Sequence, residues 1–583
     1  MGMRGQLVAG TQGRENSQFS LASGGWLALA GLAIILAGAL LAHLIRTSDD
    51  ISVRDIRFAG ADGTRMSALL YVPASATRDT PAPGILAVHG YINSRETQDG
   101  FAIEFARRGY VVLALDQTGH GYSGGPAFSN GFGGPDGLRY LRSLPMVDTD
   151  QIGLEGHSMG GWTVLAAAAA MPDAYRSMVL EGSSTGAPFA QDGSIAWPRN
   201  LALVFSKYDE FSKIMWNADR AIDVASSPKL QAVFGTDGQV IEGQLYGSIP
   251  QGTARVLYQP ATTHPGNHFS ANSIGRAIDW FAATLKGGKP LPAGNQRWIW
   301  KEVGTGVGLI GFVMLALGSF AMLLQLPYFS QLKADPVPAM NARGGIWWCR
   351  FALNTSVPAL LFFPAFIAAF FLLPASPFLP QAVTTQITLW ALLVAGLSLL
   401  IGRFSRTPDK ASPAAWLPSI AIAAATACIA YLALLLTDIL FQTDFRFWVV
   451  AVKLPSIRQW GIAAIYIIPL TLSFMVSLRT LCAAMTVAND RPAMRYVSAI
   501  FTMTGGFIVM LGLIYGIFFT TGSLITDFDP LSTVIAIQFV PVLAAIAIIA
   551  IFAWQRTNSH RPGAIIVGIL VTLYVVAGTA TQV

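Results

Sequence analysis

The frame Gly156-His157-Ser158-Met159-Gly160 sets a serine hydroxyl between two glycines, the pattern of a nucleophilic serine on a tight turn. The same pattern recurs at 121–125 (GYSGG) and 182–186 (GSSTG), as a chain with 57 glycines in 583 residues allows. Context separates the three. GYSGG runs into PAFSNGFGG and GSSTG into APFAQDGS, neither of them helical in pattern. Only GHSMGG leads from an apolar strand, QIGLE, into an alanine-rich helix, TVLAAAAAM. Such a passage drives the hydroxyl out of a sheet, and Gly156 and Gly160 permit the close backbone approach it requires. Ser158 is therefore the expected nucleophile. The chemistry also needs a histidine to take the hydroxyl proton, a carboxylate to hold that histidine, and N–H donors for the oxyanion.

The elements that must carry this serine surround it. From 47 to 300 the chain has charges, turns and short apolar runs. The runs ISVRDIRF, MSALLYVP, GILAVHG, VVLALD, QIGLEG, SMVLEG, LALVFS and RVLYQP alternate with helical segments such as GFAIEFARRG. GILAV and VVLAL are apolar throughout, as strands buried on both faces are. The alternation predicts a mostly parallel sheet covered by helices. The segment is long enough for one such domain with a full core.

Together these features resemble the α/β-hydrolases, the superfamily of serine esterases, lipases and some peptidases. AVHGY (87–91) is similar to that superfamily's loop after the third strand, and LDQTGHGYSGG (115–125) to its D-x-x-G-x-G-x-S turn. The resemblance covers residues 50–287, a little under half the chain. It implies a Ser-His-Asp triad, an acyl-enzyme, and an oxyanion hole made by the N–H groups of Tyr91 and Met159, each such donor worth about 3 kcal/mol of barrier. The acid is implied after a late strand, where LALVFSKYDEF carries Asp209 with Glu210 beside it; Glu181, after the preceding strand, is an alternative. The base is implied after the last strand, in ATTHPGNHFSANSIGRAIDWF. His268, in HF ahead of an amphipathic helix, is the more similar arrangement, and His264 is the alternative base. His89, His120 and His157 read as residues that shape their turns. The stretch 184–199 is too short for a large cap, and Tyr122, Phe128, Phe132, Phe189 and Trp197 are available to line an acyl pocket or to anchor loops.

The rest of the chain is of another kind. Hydrophobic residues make up 53% of the sequence and charged ones 12%, with a mean hydropathy of +0.50; a soluble domain carries about 25% charge. Apolar runs lie at 25–46, 304–328, 349–373, 384–402, 415–440, 461–478, 497–520, 533–554 and 562–580. Each has about the 20 residues that cross a bilayer. The expected organisation is a cytoplasmic tail (1–24), a transmembrane signal anchor (25–46), an α/β-hydrolase domain (47–300) and an all-α polytopic transmembrane domain of about eight helices (301–583). The first run is longer than the apolar core of a cleaved signal, and no small-x-small site follows it. The short run 445–455 reads as an interfacial helix.

Orientation follows from lysine and arginine in the short loops. One set of alternate loops carries Arg4, Arg14, Lys333, Arg343, Arg403, Arg406, Lys410, Arg479, Arg491, Arg495, Arg556 and Arg561. The other has none at 374–383, at 521–532 or in the C-terminal tail, and breaks the trend only at 441–460, with Arg446, Lys453 and Arg458. The first set is expected in the cytoplasm, which makes this a multi-pass protein of the plasma (inner) membrane with an extracytoplasmic hydrolase domain. Cys349, Cys428 and Cys482 all lie in or beside spans, so the hydrolase domain has no disulfide and no thiol nucleophile. The net charge of +6 fits anionic lipid head groups and gives no reason to invoke nucleic acid.

No H-E-x-x-H, cysteine–histidine cluster or P-loop lysine is present in the sequence, so no metal or other cofactor is implied. The expected function is a membrane-embedded serine hydrolase acting on carboxylic esters, including lipid-like ones presented by the bilayer. A serine peptidase or acyltransferase on the same triad is one alternative. A transporter or sensor with a ligand-binding hydrolase-like domain is another; the scarcity of charge within the spans argues against it, Asp438 being the main exception.

Overall fold

The computed structural model describes residues 21–334, 342–404, 414–488 and 490–583. Most of the expected tail 1–24, with Arg4 and Arg14, lies outside the described residues, as do Arg406 and Lys410. Eight strands form one sheet: β1 (Ile51–Ala59), β2 (Arg65–Pro73), β3 (Ala82–Val88), β4 (Val111–Asp116), β5 (Val147–His157), β6 (Ser177–Glu181), β7 (Leu201–Val204) and β8 (Arg255–Tyr258). Their order is β1-β2-β4-β3-β5-β6-β7-β8. β2 runs antiparallel to both neighbours and the other pairings are parallel.

Side chains alternate across each strand and fill two cores. Leu86 and Val88 of β3 join Leu138, Val164 and Leu165 from the helices Gly134–Ser143 and Met159–Ala170 on one face. Ile85 and Ala87 join Phe101, Phe105, Ile274 and Phe281 from Asp99–Arg107 and Ala271–Thr284 on the other. The chain crosses over at β3, which lies between β4 and β5. This sets the loop after β3 beside the turn after β5, the position where parallel sheets open a crevice for a ligand.

Among the described residues, nine helices are long and apolar enough to cross a membrane: Gly24–Arg46, Trp298–Leu323, Gly345–Leu372, Ala382–Leu400, Trp416–Phe441, Ile457–Cys482, Pro492–Thr521, Pro530–Thr557 and Arg561–Gly578. The first two, which flank the sheet domain in sequence, pack against each other through small residues. A Cβ on Gly38 would stand 2.4 Å from the Gly304 carbonyl oxygen, and one on Gly304 2.6 Å from that of Gly38. Backbones this close are the usual basis of helix association in lipid, where apolar burial offers no net gain.

The run 445–455 is not a helix. Phe445–Phe447 and Val450–Val452 form an antiparallel hairpin around Trp448, whose φ is 50°. Its period of two is what the position requires. Phe445 packs beside Gly308 in the second span, while the next residue, Arg446, points into the sheet domain. Arg446 is 3% exposed; it pairs with Asp444 at 2.7 Å, donates to Thr97 Oγ1 at 2.6 Å and Ser94 Oγ at 3.2 Å, and lies 3.7 Å from Glu96. Arg458 donates to the Gly125 carbonyl at 2.7 Å, and Lys453 is buried beside the same carboxylates. These three cations break the loop-charge asymmetry because they serve the sheet domain.

A second buried cluster joins the flanking spans to the same domain. Asp99 meets Lys301 at 2.9 Å and Arg46 at 3.7 Å, and accepts a hydrogen bond from the Tyr71 hydroxyl. Burial alone would raise the Asp99 carboxyl, but Lys301 and Arg46 hold it below its ordinary value. Breaking a buried pair leaves an uncompensated charge and costs about 3–5 kcal/mol. Replacing Arg446 by Met should therefore destabilise the full chain by roughly that amount in denaturant unfolding. A loss below about 1 kcal/mol would mean that the cluster is solvated rather than structural.

Candidate active site

β5 ends at His157 and the helix Met159–Ala170 begins two residues on, which leaves Ser158 alone in the turn. Its φ of 54° and ψ of −121° are unusual for a residue with a side chain, a conformation that costs about 1–3 kcal/mol and persists only where its surroundings enforce it. Those surroundings are visible. The Ser158 N–H donates to the Glu181 carbonyl at 2.8 Å, and a Cβ on Gly160 would stand 2.1 Å from the Val88 oxygen. Ser158 is half-buried.

The acid and base loops follow β7 and β8. A bridge between Tyr208 and Thr263 prolongs the pairing of these strands, so that Asp209 and His264 emerge opposite each other. His264 Nδ1 contacts both carboxylate oxygens of Asp209, at 2.9 and 3.0 Å. The pair is buried against Gly182, where a Cβ would stand 2.9 Å from His264 Nδ1 and 3.0 Å from Asp209 Oδ2. Burial pushes the His264 imidazole down to about 3, so the neutral ring is the resting form. Burial also raises the Asp209 carboxyl, a shift opposed by the Phe211 N–H at 2.9 Å. The His264 carbonyl accepts from His157 Nε2 at 3.0 Å, which ties the histidine loop to the residue before Ser158. No hydrogen bond joins the Ser158 hydroxyl to His264 among the described residues.

His268, expected as the base, lies elsewhere. It lies within the 3-10 turn Pro265–Phe269, and its Nε2–H donates to Gln98 Oε1 at 2.6 Å. Gln98 in turn gives its amide N–H groups to Glu155 at 2.8 and 2.9 Å. Asp209 is thus brought to His264 and not to His268. Among the described residues Glu181, the alternative acid, reaches no histidine and its buried carboxyl has no hydrogen-bond partner; burial and Glu155 raise it.

On the far side of Ser158, Gly90 approaches so closely that a Cβ there would stand 3.1 Å from Ser158 Cβ. Tyr91 follows it. Met159 opens its helix, so its N–H has no carbonyl a turn behind. His89 shapes this loop: its Nδ1–H donates to the Gly90 carbonyl at 2.7 Å while Nε2 accepts from the Gln117 N–H at 3.2 Å. Beyond Tyr91 is an aromatic wall. Phe128 stacks on Phe189 at 5.6 Å, Trp162 and Phe132 pack on Phe189, and Tyr91 packs on Phe128. Phe128 and Phe189 remain 41% and 47% exposed, which leaves an apolar face open. Tyr122 belongs elsewhere, under the guanidinium groups of Arg57 and Arg95.

Other residues around the site come from the long apolar helices and their loops, and no local pattern marks them. Gln582 Nε2 donates to the Tyr91 hydroxyl at 2.6 Å. Residues 119–127 and Thr581 exchange backbone hydrogen bonds, Ala127 N–H to Thr581 O at 2.7 Å and Thr581 N–H to Gly119 O at 2.8 Å. Tyr515 donates to Glu210, and Trp448 to the Pro265 carbonyl.

Comparison with known proteins agrees with this architecture. The profile of the alpha/beta hydrolase fold family matches residues 83–212. The monoacylglycerol lipase of Mycolicibacterium smegmatis is 31% identical over 213 residues, which cover 34% of this chain and 68% of the lipase. Among solved structures, the Pyrococcus furiosus esterase Pf2001 aligns at 16% identity over 40% of this chain and 93% of its own, with a TM-score of 0.29. A hyperthermophilic esterase from Pyrobaculum calidifontis aligns at 14% identity over 44% of this chain and 92% of its own, with a TM-score of 0.30. By its sheet domain and by the identity it shares with the lipase, the chain belongs to the α/β-hydrolase family.

Proposed function

We propose that this chain is a membrane-embedded serine hydrolase that cleaves carboxylic esters, lipid-like ones included, through Ser158, His264 and Asp209. The observation that carries the reading is the Asp209–His264 contact at 2.9 Å, beside a serine held at positive φ. Asp209 holds the His264 ring with Nδ1–H turned towards it, which leaves Nε2 free to accept the Ser158 proton as Oγ attacks the ester carbonyl. The oxyanion is taken by the N–H groups of Tyr91 and Met159. The imidazolium, stabilised by Asp209, then returns the proton to the departing alcohol. Water activated by the same ring attacks the acyl-enzyme and frees the acid and Ser158. The open aromatic face at Phe128 and Phe189 suits an apolar acyl chain, and the similar mycobacterial protein is named as a monoacylglycerol lipase.

His264, rather than His268, is the base in this mechanism. Ser158→Ala and His264→Ala should each lower ester turnover by several orders of magnitude, because triad members act as a unit, and each should abolish or nearly abolish fluorophosphonate labelling. His268→Ala should keep labelling within about tenfold of wild type, since only a group in reach of the serine oxygen takes its proton. The reverse pattern would move the base to His268.

Burial of His264 also fixes the sign of the pH response. A base whose pKa is lowered stays neutral, and so active, as pH falls through the ordinary histidine value of 6.5. The acidic limb of kcat/KM against pH should therefore lie below 6.5; a limb above it would contradict the buried, neutral ring.

The domain is proposed to face outward from the inner membrane. The loops at 441–460 and 521–532 and the tail at Gln582 all touch the sheet domain, through Arg446, Asp527 and Gln582. They share a side, opposite the arginine- and lysine-rich set. Alkaline phosphatase, which works only outside the cytoplasm, should be active when fused at Val583. A fluorescent protein that matures in the cytoplasm should fluoresce when inserted after Lys410. The opposite pair of results would put the hydrolase in the cytosol.

A further inference from the structure

The eight later spans are more than an anchor requires, and the loop that carries His264 shows where one of them, and the hairpin between two others, are used. Two polar contacts hold its backbone from the membrane side. The His264 N–H donates to Glu210 Oε2 at 2.7 Å, and the other oxygen of that carboxylate accepts from the Tyr515 hydroxyl at 2.7 Å. Tyr515 lies in the last turns of the span Pro492–Thr521. On the next residue, the Pro265 carbonyl accepts from the Trp448 indole N–H at 2.9 Å, and Trp448 sits at the tip of the hairpin that links two other spans. Around these bonds the acid loop packs on the same span, with Tyr208 5.0 Å from Phe519, and Lys213 pairs with Asp527 at 2.8 Å.

We propose that Tyr515, acting through Glu210, and Trp448 are positioning residues for His264, so that the membrane helices set the geometry of the catalytic base. This rests on the reading of His264 as that base. The carboxylate of Glu210 cannot reach the reacting atoms by these bonds; both its oxygens are occupied, one by the backbone of His264 and one by Tyr515. The Glu210 carboxyl is 4% exposed, and burial, with the charge of Asp209, pushes it up to about 8. Its two hydrogen bonds oppose that shift, so losing Tyr515 weakens the acceptor that fixes the His264 main chain. A displacement of about 1 Å in a catalytic group costs as much as a hundredfold in rate.

The test uses the full chain in detergent or nanodiscs. Tyr515→Phe removes one hydroxyl and keeps the ring packing, and Trp448→Phe removes the indole N–H together with part of the ring. Each should lower kcat and the rate of fluorophosphonate labelling at Ser158 together, by about tenfold or more, with KM and the melting temperature little changed. Because Tyr515 acts through Glu210, Tyr515→Phe combined with Glu210→Gln should cost no more than Glu210→Gln alone. Wild-type kcat in both aromatic variants, a rise in KM with kcat unchanged, or fully multiplicative losses in the double variant would overturn the proposal. If Glu210→Gln does not fold, the two aromatic variants decide it alone. Failure of the underlying reading looks different: it is His264→Ala that would then retain labelling. His264→Ala inactive with both aromatic variants at full rate removes only the positioning role.

Discussion

Charge that is buried away from water must be paired, and two of this chain's buried carboxylates, Asp99 and Glu96, meet cations from across the boundary between the sheet domain and the apolar helices. Asp99, on a helix of the sheet domain, is balanced by Arg46 at the end of the first span and by Lys301 at the start of the second. Glu96, one turn earlier, faces Arg446 from a loop between later spans. Asp99 could not stay buried in the sheet domain alone, because both cations paired with it belong to the flanking apolar helices, whereas Glu96 also has Arg95 beside it. The two halves are therefore expected to fold against each other. The glycine contact between Gly38 and Gly304 brings the two flanking spans together beneath that cluster.

This constraint places the long apolar helices and their loops beside the candidate site. The loop after β3 meets the C-terminal tail through Tyr91 and Gln582, and the histidine loop meets a span through Glu210 and Tyr515.

Much of this was legible in the sequence. The eight strands were readable because those at the centre are apolar on both faces, and the spans because lipid demands length and apolarity. Ser158 stood out from two other G-x-S-x-G matches through the strand before it and the helix after it. The choice of histidine was not legible. His264 and His268 both follow the last strand, and what separates them is the Tyr208–Thr263 bridge, a tertiary feature that delivers His264 to Asp209. The hairpin at 445–452 was hidden for a similar reason, since three-residue strands leave too short a period to recognise. Arg446, read from sequence as an exception to the loop charges, is explained by Thr97, 349 residues away. Tyr515 and Gln582 lie 305 and 491 residues from their partners and have no local pattern at all.

The central claim is that Ser158, His264 and Asp209 form one catalytic unit held in place by the membrane helices. Its most direct test is the structure of the full chain after reaction with a fluorophosphonate. The account predicts phosphonylated Ser158 with His264 Nε2 about 2.6–3.2 Å from the Ser158 oxygen, Nδ1 still on Asp209, and the Tyr515–Glu210–His264 bonds intact. An adduct on another serine, or His268 beside the phosphonyl group with His264 turned away, would contradict it.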